Sequence, residues 1–301
     1  MADGGAPFSP EDIDLLLDNI DHLSEEELAE LNELVSELES RQSIAKVRDD
    51  LIAFCCHMQS DYKVGNHHRR LANLLEDIEA RRKDRICVSV PPRHGKSQMV
   101  SIYYAAWYLG KNPTHKIMLV SHTTDLAVDF GRKVRNLINT EEYKEIFPNV
   151  ELAKDSKSAG RWNTSLGGEF FAAGVGSALA GRGAHLLLVD DPHSEQDILN
   201  GNFGVFEKAY EWFAYGARTR LMPGGAVAVV HTRWNEGDLI GRLISDMANN
   251  EGSDQYEVFE FPAILDTPEG EKALWPEFFD LKALYRTKAS MPTFQWNAQY
   301  Q

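Results

Sequence analysis

The sequence predicts an α/β domain built on a mainly parallel sheet flanked by helices, with a small N-terminal helical segment before it. From residue 85 onward, apolar runs alternate with stretches of helical periodicity. Most of the runs are continuously apolar, as in strands covered on both faces. Strands that alternate with helices join by right-handed crossovers into one parallel sheet.

The elements follow in chain order. The first eight residues or so read as disordered. After them Leu28, Leu31, Leu34, Val35 and Leu38 recur at three- and four-residue spacing, and Ser24 with Glu27 forms a capping-box pattern. This predicts two helices broken near Asp21–Ser24, followed by a further helical region over about 45–82. Predicted strands cover 85–90, 116–122, 185–191, 226–232 and 256–263. Helical patterns occupy 96–109, 124–146, about 197–220 and 236–248. The segment "NTSLGGEFFAAGV" (163–175) reads as an inserted hairpin with a glycine turn. The expected division is an acidic appendage, 1–45, and one α/β domain, 46–301.

Charge supports that division. Residues 1–45 hold 13 Asp or Glu against one Arg, and so carry -12 of the formal net charge of -15. The near-neutral remainder is compatible with a local basic track for phosphates, although composition does not locate one. No apolar run approaches the roughly 20 residues of a membrane span, and the N-terminus lacks the basic flank of a signal peptide. These features predict a cytosolic protein with no membrane partner. Cys55, Cys56 and Cys87 show no metal-ligand spacing and read as reduced structural thiols.

The chemistry starts at "ICVSVPPRHGKSQMVSI" (86–102). A phosphate-binding loop needs a strand, a tight turn whose N–H groups converge on an anion, a lysine for β/γ oxygens, a hydroxyl for Mg²⁺, and a helix N-terminus. Pro92, Arg93, His94, Gly95, Lys96 and Ser97 supply the turn, the lysine and the hydroxyl in that order. In the pattern GxxxxGK[ST] the first glycine falls at Val90, so only the second half of this Walker A motif is met. Pro91 and Pro92 are expected to fix the turn instead.

A second element, "HLLLVDDPHSEQD" (185–197), ends an apolar strand in Asp190-Asp191, at the sheet edge where ligands bind in open α/β folds. Asp190 suits the water shell of Mg²⁺, as in a Walker B strand. Asp191, or Glu195 beyond it, is suited to orient and deprotonate an attacking water. Phosphoryl transfer also calls for positive charge. Arg93 within the loop can reach a γ-phosphate in cis, and Arg182, on a Gly/Ala-rich segment, can project to a neighbouring subunit; the alternative for either is a surface or capping contact. Thr232 is placed to sense the γ-phosphate, with Arg233 emerging beside it, while Trp234 and Asp238 are expected to fix the loop. His67, His68 and Arg70 offer stacking or hydrogen bonds to an adenine ring, the alternative being plain helix surface. The combination predicts a P-loop NTPase of the ASCE/RecA-like class, binding ATP and Mg²⁺.

"VPPRHGKS", "MLVSHTTDLAVDFGRKVR", "GSALAGRGAHLLLVDDPHSEQD", "VVHTRWNEGDLIGRL" and the block from "FPAILDTPEGEK" to "QWNAQYQ" resemble, in order, the ATPase half of the large terminase subunit of tailed bacteriophages. The resemblance covers roughly residues 50–301. It implies that Lys96 and Ser97 bind phosphate and Mg²⁺, that Asp190 holds the metal, and that Arg182 acts on the ATP of a neighbouring subunit. Asp191 stands where many terminases have the catalytic glutamate. The implied function is packaging of double-stranded DNA into a procapsid, in the host cell cytoplasm. Implied partners are the portal protein, a small terminase subunit and further copies of the chain in a ring, a pentamer by resemblance. An RNase H-like nuclease domain normally follows in the family, and the chain ends where it would begin, so nuclease activity is not expected of this polypeptide. Two other readings remain: a helicase-like nucleic-acid-dependent ATPase, and a nucleotide-binding or scaffold protein without turnover, which the missing first glycine favours.

Overall fold

The computed structural model describes residues 24–300 except Asp155 and Lys157. The expected first N-terminal helix lies outside the described residues, as does the Glu27 side chain of the predicted capping box. The chain divides into two units, 1–46 and 47–301. Helix α1 (Glu25–Asp49) begins directly after Ser24 and accounts for the described part of the first unit.

In the second unit, α2 (Leu51–Met58) and α3 (Asn66–Glu79) precede β1 (Arg85–Ser89). A π-wound segment, Gln98–Tyr104, then continues as α4 (Ala105–Lys111). The following elements are β2 (Lys116–Ser121), α5 (Thr124–Ile138), α6 (Glu141–Ile146), β3 (Arg161–Asn163), β4 (Glu169–Gly174) and β5 (Ala184–Asp190). Next come α7 (Glu195–Leu199), α8 (Gly204–Glu211) with its irregular continuation to Arg220, β6 (Leu221–His231) and α9 (Leu239–Asn249). The chain closes with β7 (Glu257–Glu260), the hairpin β8 (Ile264–Thr267) and β9 (Gly270–Ala273), α10 (Leu281–Ser290) and α11 (Thr293–Tyr300).

Seven strands form one sheet in the order β3-β4-β2-β5-β6-β1-β7. All neighbours are parallel except β3 and β4. The expected parallel α/β sheet is therefore present, and all five predicted strands belong to it. Residues 86–89, 117–121 and 186–190 are buried throughout, which explains why β1, β2 and β5 read as uninterrupted apolar runs. Helices cover both faces, giving two separate apolar cores: Trp107, Phe54 and Tyr104 lie in one, Phe213, Leu239 and Ile240 in the other.

Three details depart from the expectation. The predicted helix over 124–146 is two helices, because Asn139 ends α5 and the Thr140 side chain caps α6 by accepting from Tyr143 N–H. The segment read as an inserted hairpin does more than insert: β4 pairs along its length with β2 and extends the main sheet. Strand β6 starts five residues before the predicted 226, with a register shift against β5 between Ala184 and Leu186. Gly224, at φ 72, lies within the extra residues.

Candidate active site

The C-terminal edge of the sheet brings the two predicted motifs together. Strand β1 delivers the loop and β5 delivers Asp190, with β6 lying between them. The Ser97 hydroxyl donates to Asp190 Oδ1 at 3.0 Å. Lys96 Nζ pairs with Asp191 Oδ2 at 2.8 Å. Asp191 Oδ1 accepts from Thr232 N–H at 3.1 Å, and the Thr232 hydroxyl donates to the Val90 carbonyl at 3.1 Å, which ties the end of β6 to both motifs.

Backbone strain concentrates here. Among the described residues, the non-glycine positions with positive φ are Arg81, Arg93 (60°) and Asp191 (44°), so two of the three lie in this site. Such conformations cost energy and persist only where the surroundings impose them, commonly at functional positions. The left-handed positions of the loop fall on Arg93 and on Gly95, at φ 81. The prolines precede them, and Pro92 contributes its carbonyl as an acceptor for the His94 ring at 2.8 Å. That ring is buried and turns away from the cleft onto Phe279, 5.2 Å between centroids, so His94 offers an anion only its backbone.

Electrostatics fit a phosphate and a divalent cation. Burial works against the charge on Lys96, but Asp191 and Asp190 outweigh it and hold the ammonium above its ordinary pKa. Burial, and then the negative Asp191, push the Asp190 carboxyl up, against Lys96 and the Ser101 and Ser97 hydroxyls. Two carboxylates facing one ammonium leave the cluster short of positive charge. The Ser97 hydroxyl and Asp190 carboxylate are hard oxygen donors of the kind Mg²⁺ prefers. No group of three or more His, Cys, Asp or Glu able to hold a metal occurs among the described residues. A cation at Ser97 and Asp190 would thus complete its shell with phosphate and water, the habit of Mg²⁺.

A cleft of about 670 Å³ opens over this cluster, lined among others by Arg93, Lys96, Asp191, Glu195 and Thr232, and walled by Gln299 and Tyr300 of α11. Glu195, the first residue of α7, is exposed on it, whereas Asp191 is bonded to Lys96 and Thr232. A second cavity of about 380 Å³, sharing Arg93, lies beyond Gly95 and is lined by Gln59, His68, Gln98, Trp275 and Phe278. His68 Nδ1 accepts from Gly65 N–H at 2.9 Å, and its buried Nε2 has no hydrogen-bond partner among the described residues. His67 Nε2 donates to the His94 carbonyl at 2.9 Å and so fixes the loop from behind. Arg70 lies instead over the Phe261 ring and lines a different cavity.

Arg182 is not at this cleft. It precedes β5, whose seven residues span roughly 20 Å to Asp190 at the other end. Its guanidinium lies 3.5 Å from Glu169 Oε1 and over the Phe171 ring.

A family model described as the terminase large subunit, T4likevirus-type, N-terminal, matches residues 87–289. The chain belongs to the terminase large-subunit family. Similar solved structures include the large terminase of bacteriophage HK97, at 15% identity and a TM-score of 0.48, covering 79% of this chain and 50% of that one. The Thermus phage P74-26 large terminase ATPase domain aligns at 13% identity and a TM-score of 0.44, covering 74% of this chain and 91% of that one. A large terminase from a thermophilic bacteriophage, in complex with ADP, aligns at 10% identity and a TM-score of 0.43, covering 70% of this chain and 46% of that one. The chain spans about half the length of the HK97 terminase it matches. No curated protein matches it.

Two features of this terminase site had no sequence expectation. Ser101, fully buried, donates to Asp190 Oδ2 at 2.6 Å. The N-terminus of α9 is capped by imidazoles: Leu239 N–H donates to His193 Nε2 at 2.9 Å and Ile240 N–H to His231 Nε2 at 3.3 Å, while Asp238 accepts from Gly241 N–H. Asp238 also accepts from Arg233 Nε and Trp234 N–H, so it fixes the loop as expected. No helix among the described residues is long and apolar enough to cross a membrane.

Proposed function

We propose that this chain is the ATPase motor region of a large terminase, a Mg²⁺-dependent ATP hydrolase that drives double-stranded viral DNA into a procapsid. The observation that carries the reading is the paired contact of Lys96 with Asp191 and of Ser97 with Asp190. It joins the cation and hydroxyl of one motif to the two carboxylates of the other. A non-enzymatic scaffold has no need of a buried carboxylate, Asp190, held beside a second one, Asp191.

The residues divide the work as follows. The loop backbone from Pro92 to Lys96, with Ser97 at the helix start, binds phosphate oxygens. Asp191 neutralises Lys96 until phosphate takes its place, and the released carboxylate then orients and deprotonates water. Asp191 is favoured over Glu195 for that role because Thr232 N–H holds it and Glu195 is exposed. Mg²⁺ at Ser97 and Asp190 would supply the positive charge that a polyphosphate requires. The cavity at His68, Gln98 and Trp275 takes the adenine, and Arg93, shared by both cavities, lies along the phosphates. Thr232, bonded to Asp191, senses loss of the γ-phosphate. The partners are double-stranded DNA, the portal, a small terminase subunit and copies of this chain in a ring, in the host cell cytoplasm.

The test is Mg²⁺-dependent ATP hydrolysis with and without double-stranded DNA, comparing the parent chain with Lys96→Ala, Asp191→Asn and Glu195→Gln. The first two are expected to lose turnover by about 100-fold or more, as when a charge-stabilising group is removed from a transition state, and the third to keep it within about threefold. Parent activity that survives Lys96→Ala would overturn the reading. Loss on Glu195→Gln with retention on Asp191→Asn would transfer the water to Glu195.

A further inference from the structure

Asp190 is 1% exposed, and both of its oxygens are held by hydroxyls. Ser97 takes Oδ1, from the end of the loop. Ser101 takes Oδ2 at 2.6 Å, from the π-wound turn that follows. A serine inside a helix ordinarily turns its hydroxyl back to a carbonyl of the preceding turn. The Ser101 hydroxyl reaches across to β5 instead. Ser101 is itself 0% exposed, so water does not substitute for that donor.

The two hydroxyls are not equivalent. Ser97 follows Lys96, which lines the cleft, and is only half-buried, so its oxygen is accessible to a cation. Ser101 lies one helical turn deeper, where no ligand reaches. When Ser97 turns its lone pairs to a cation, Asp190 keeps Ser101 as its remaining hydroxyl partner. A carboxylate with one oxygen fixed has lost its freedom to rotate, and the other oxygen then points at the loop.

We propose that Ser101 is a positioning residue for the divalent cation: it anchors Asp190 Oδ2 so that Oδ1 is presented to the metal at Ser97. The inference rests on the nucleotide-binding reading above and deepens it, since it assigns the second support of the metal ligand. Partners that orient metal ligands typically carry 10- to 100-fold in metal affinity. A serine that merely satisfied a buried carboxylate would affect stability and leave the metal requirement unchanged.

The experiment is a Mg²⁺ titration of the binding of a non-hydrolysable ATP analogue, followed by calorimetry, for the parent chain, Ser101→Ala and Ser101→Thr. Thermal melts of each protein accompany it. Ser101→Ala is expected to need about 10-fold more Mg²⁺ for half-maximal binding, with affinity in the absence of Mg²⁺ within about twofold of the parent. Ser101→Thr keeps the hydroxyl and is expected within about threefold of the parent. If Ser101→Ala does not fold, Ser101→Cys, similar in size and a weak donor, replaces it with the same direction of shift. A folded Ser101→Ala or Ser101→Cys protein with the parent's Mg²⁺ dependence would overturn the inference and leave the nucleotide reading standing. A parent chain that binds the analogue with no dependence on Mg²⁺, or not at all, would overturn both.

Discussion

Arg182 sits against Glu169, at the opposite end of β5 from Asp190. Arg161 also bonds Glu169 Oε1, at 2.9 Å, and Lys116 approaches its other oxygen. Within one chain Arg182 is therefore separated from Lys96 by about the length of the strand. Arg182→Ala is expected to leave the ATP affinity of the monomer within about twofold, since no contact to the nucleotide cleft is lost. Any effect on turnover belongs to assemblies, and there Lys96→Ala subunits with Arg182 intact should restore hydrolysis to Arg182→Ala subunits. Mixed assemblies that never recover would remove Arg182 from action in trans.

Gly95 leaves no room for a side chain. Its φ is 81°, and a Cβ placed on it would come within 2.3 Å of His68 Nε2. Gly95→Ala combines left-handed strain with that clash, and is expected to lower stability by about 1–3 kcal/mol and to abolish analogue binding. Urea unfolding and calorimetry check both effects. A variant with parent stability would mean that His68 moves freely, contrary to its packing at 4.7 Å from Trp275.

Three buried histidines make stability depend on pH. Burial, followed by the neighbouring His67, holds His68 down to about 3; burial takes His94 down to about 4; burial and then His231 take His193 down to about 3. In the unfolded chain each titrates near 6.5, so below that pH the unfolded state binds protons that the folded state refuses. Stability is full above pH 6.5 and falls toward pH 4, by about 1.4 kcal/mol per pH unit for each histidine. Asp190, with its raised carboxyl, has the opposite sign and offsets part of the loss. Urea midpoints at pH 7.5, 6 and 5 should decline steadily. Equal midpoints would show that these imidazoles protonate without unfolding the chain.

Asp238 is 0% exposed and serves α9, Arg233 and Trp234 at once. Asp238→Ala removes a helix cap and leaves Arg233 with Glu260 alone as an ion-pair partner among the described residues, for an expected loss of about 3 kcal/mol. Asp238→Asn keeps a capping oxygen and should lose less. Parent-like unfolding of Asp238→Ala would show that the imidazoles hold the first turn of α9 without it.

The parts legible in the sequence are those whose signal is local. Continuous apolar runs announced β1, β2 and β5, and the Gly95-Lys96-Ser97 and Asp190-Asp191 steps marked the residues that meet at their ends. The boundary at Asn139-Thr140 was also local, a cap signal hidden inside a long amphipathic pattern. Non-local facts were not legible: a serine at position 101 reads as ordinary helix, and only the approach of β5 gives it a carboxylate to hold. His193 and His231 carry no spacing that marks them as helix caps, because the N–H groups they accept belong to α9. Arg182 lies in a Gly/Ala-rich segment, and nothing in that segment announces its contacts with Glu169 and Phe171, which belong to another strand.

The imidazole caps tie α9 to two strands at once. His193 follows Asp191 after β5, and His231 ends β6 next to Thr232, so both seats of the helix belong to segments that touch Lys96 or the loop. The eleven residues of α9 form a rod of about 16 Å. A rod seated by two imidazoles at one end turns a small rotation at Leu239 into a larger displacement at Asn249, so the contacts of His193 and His231 set where the far end of α9 lies.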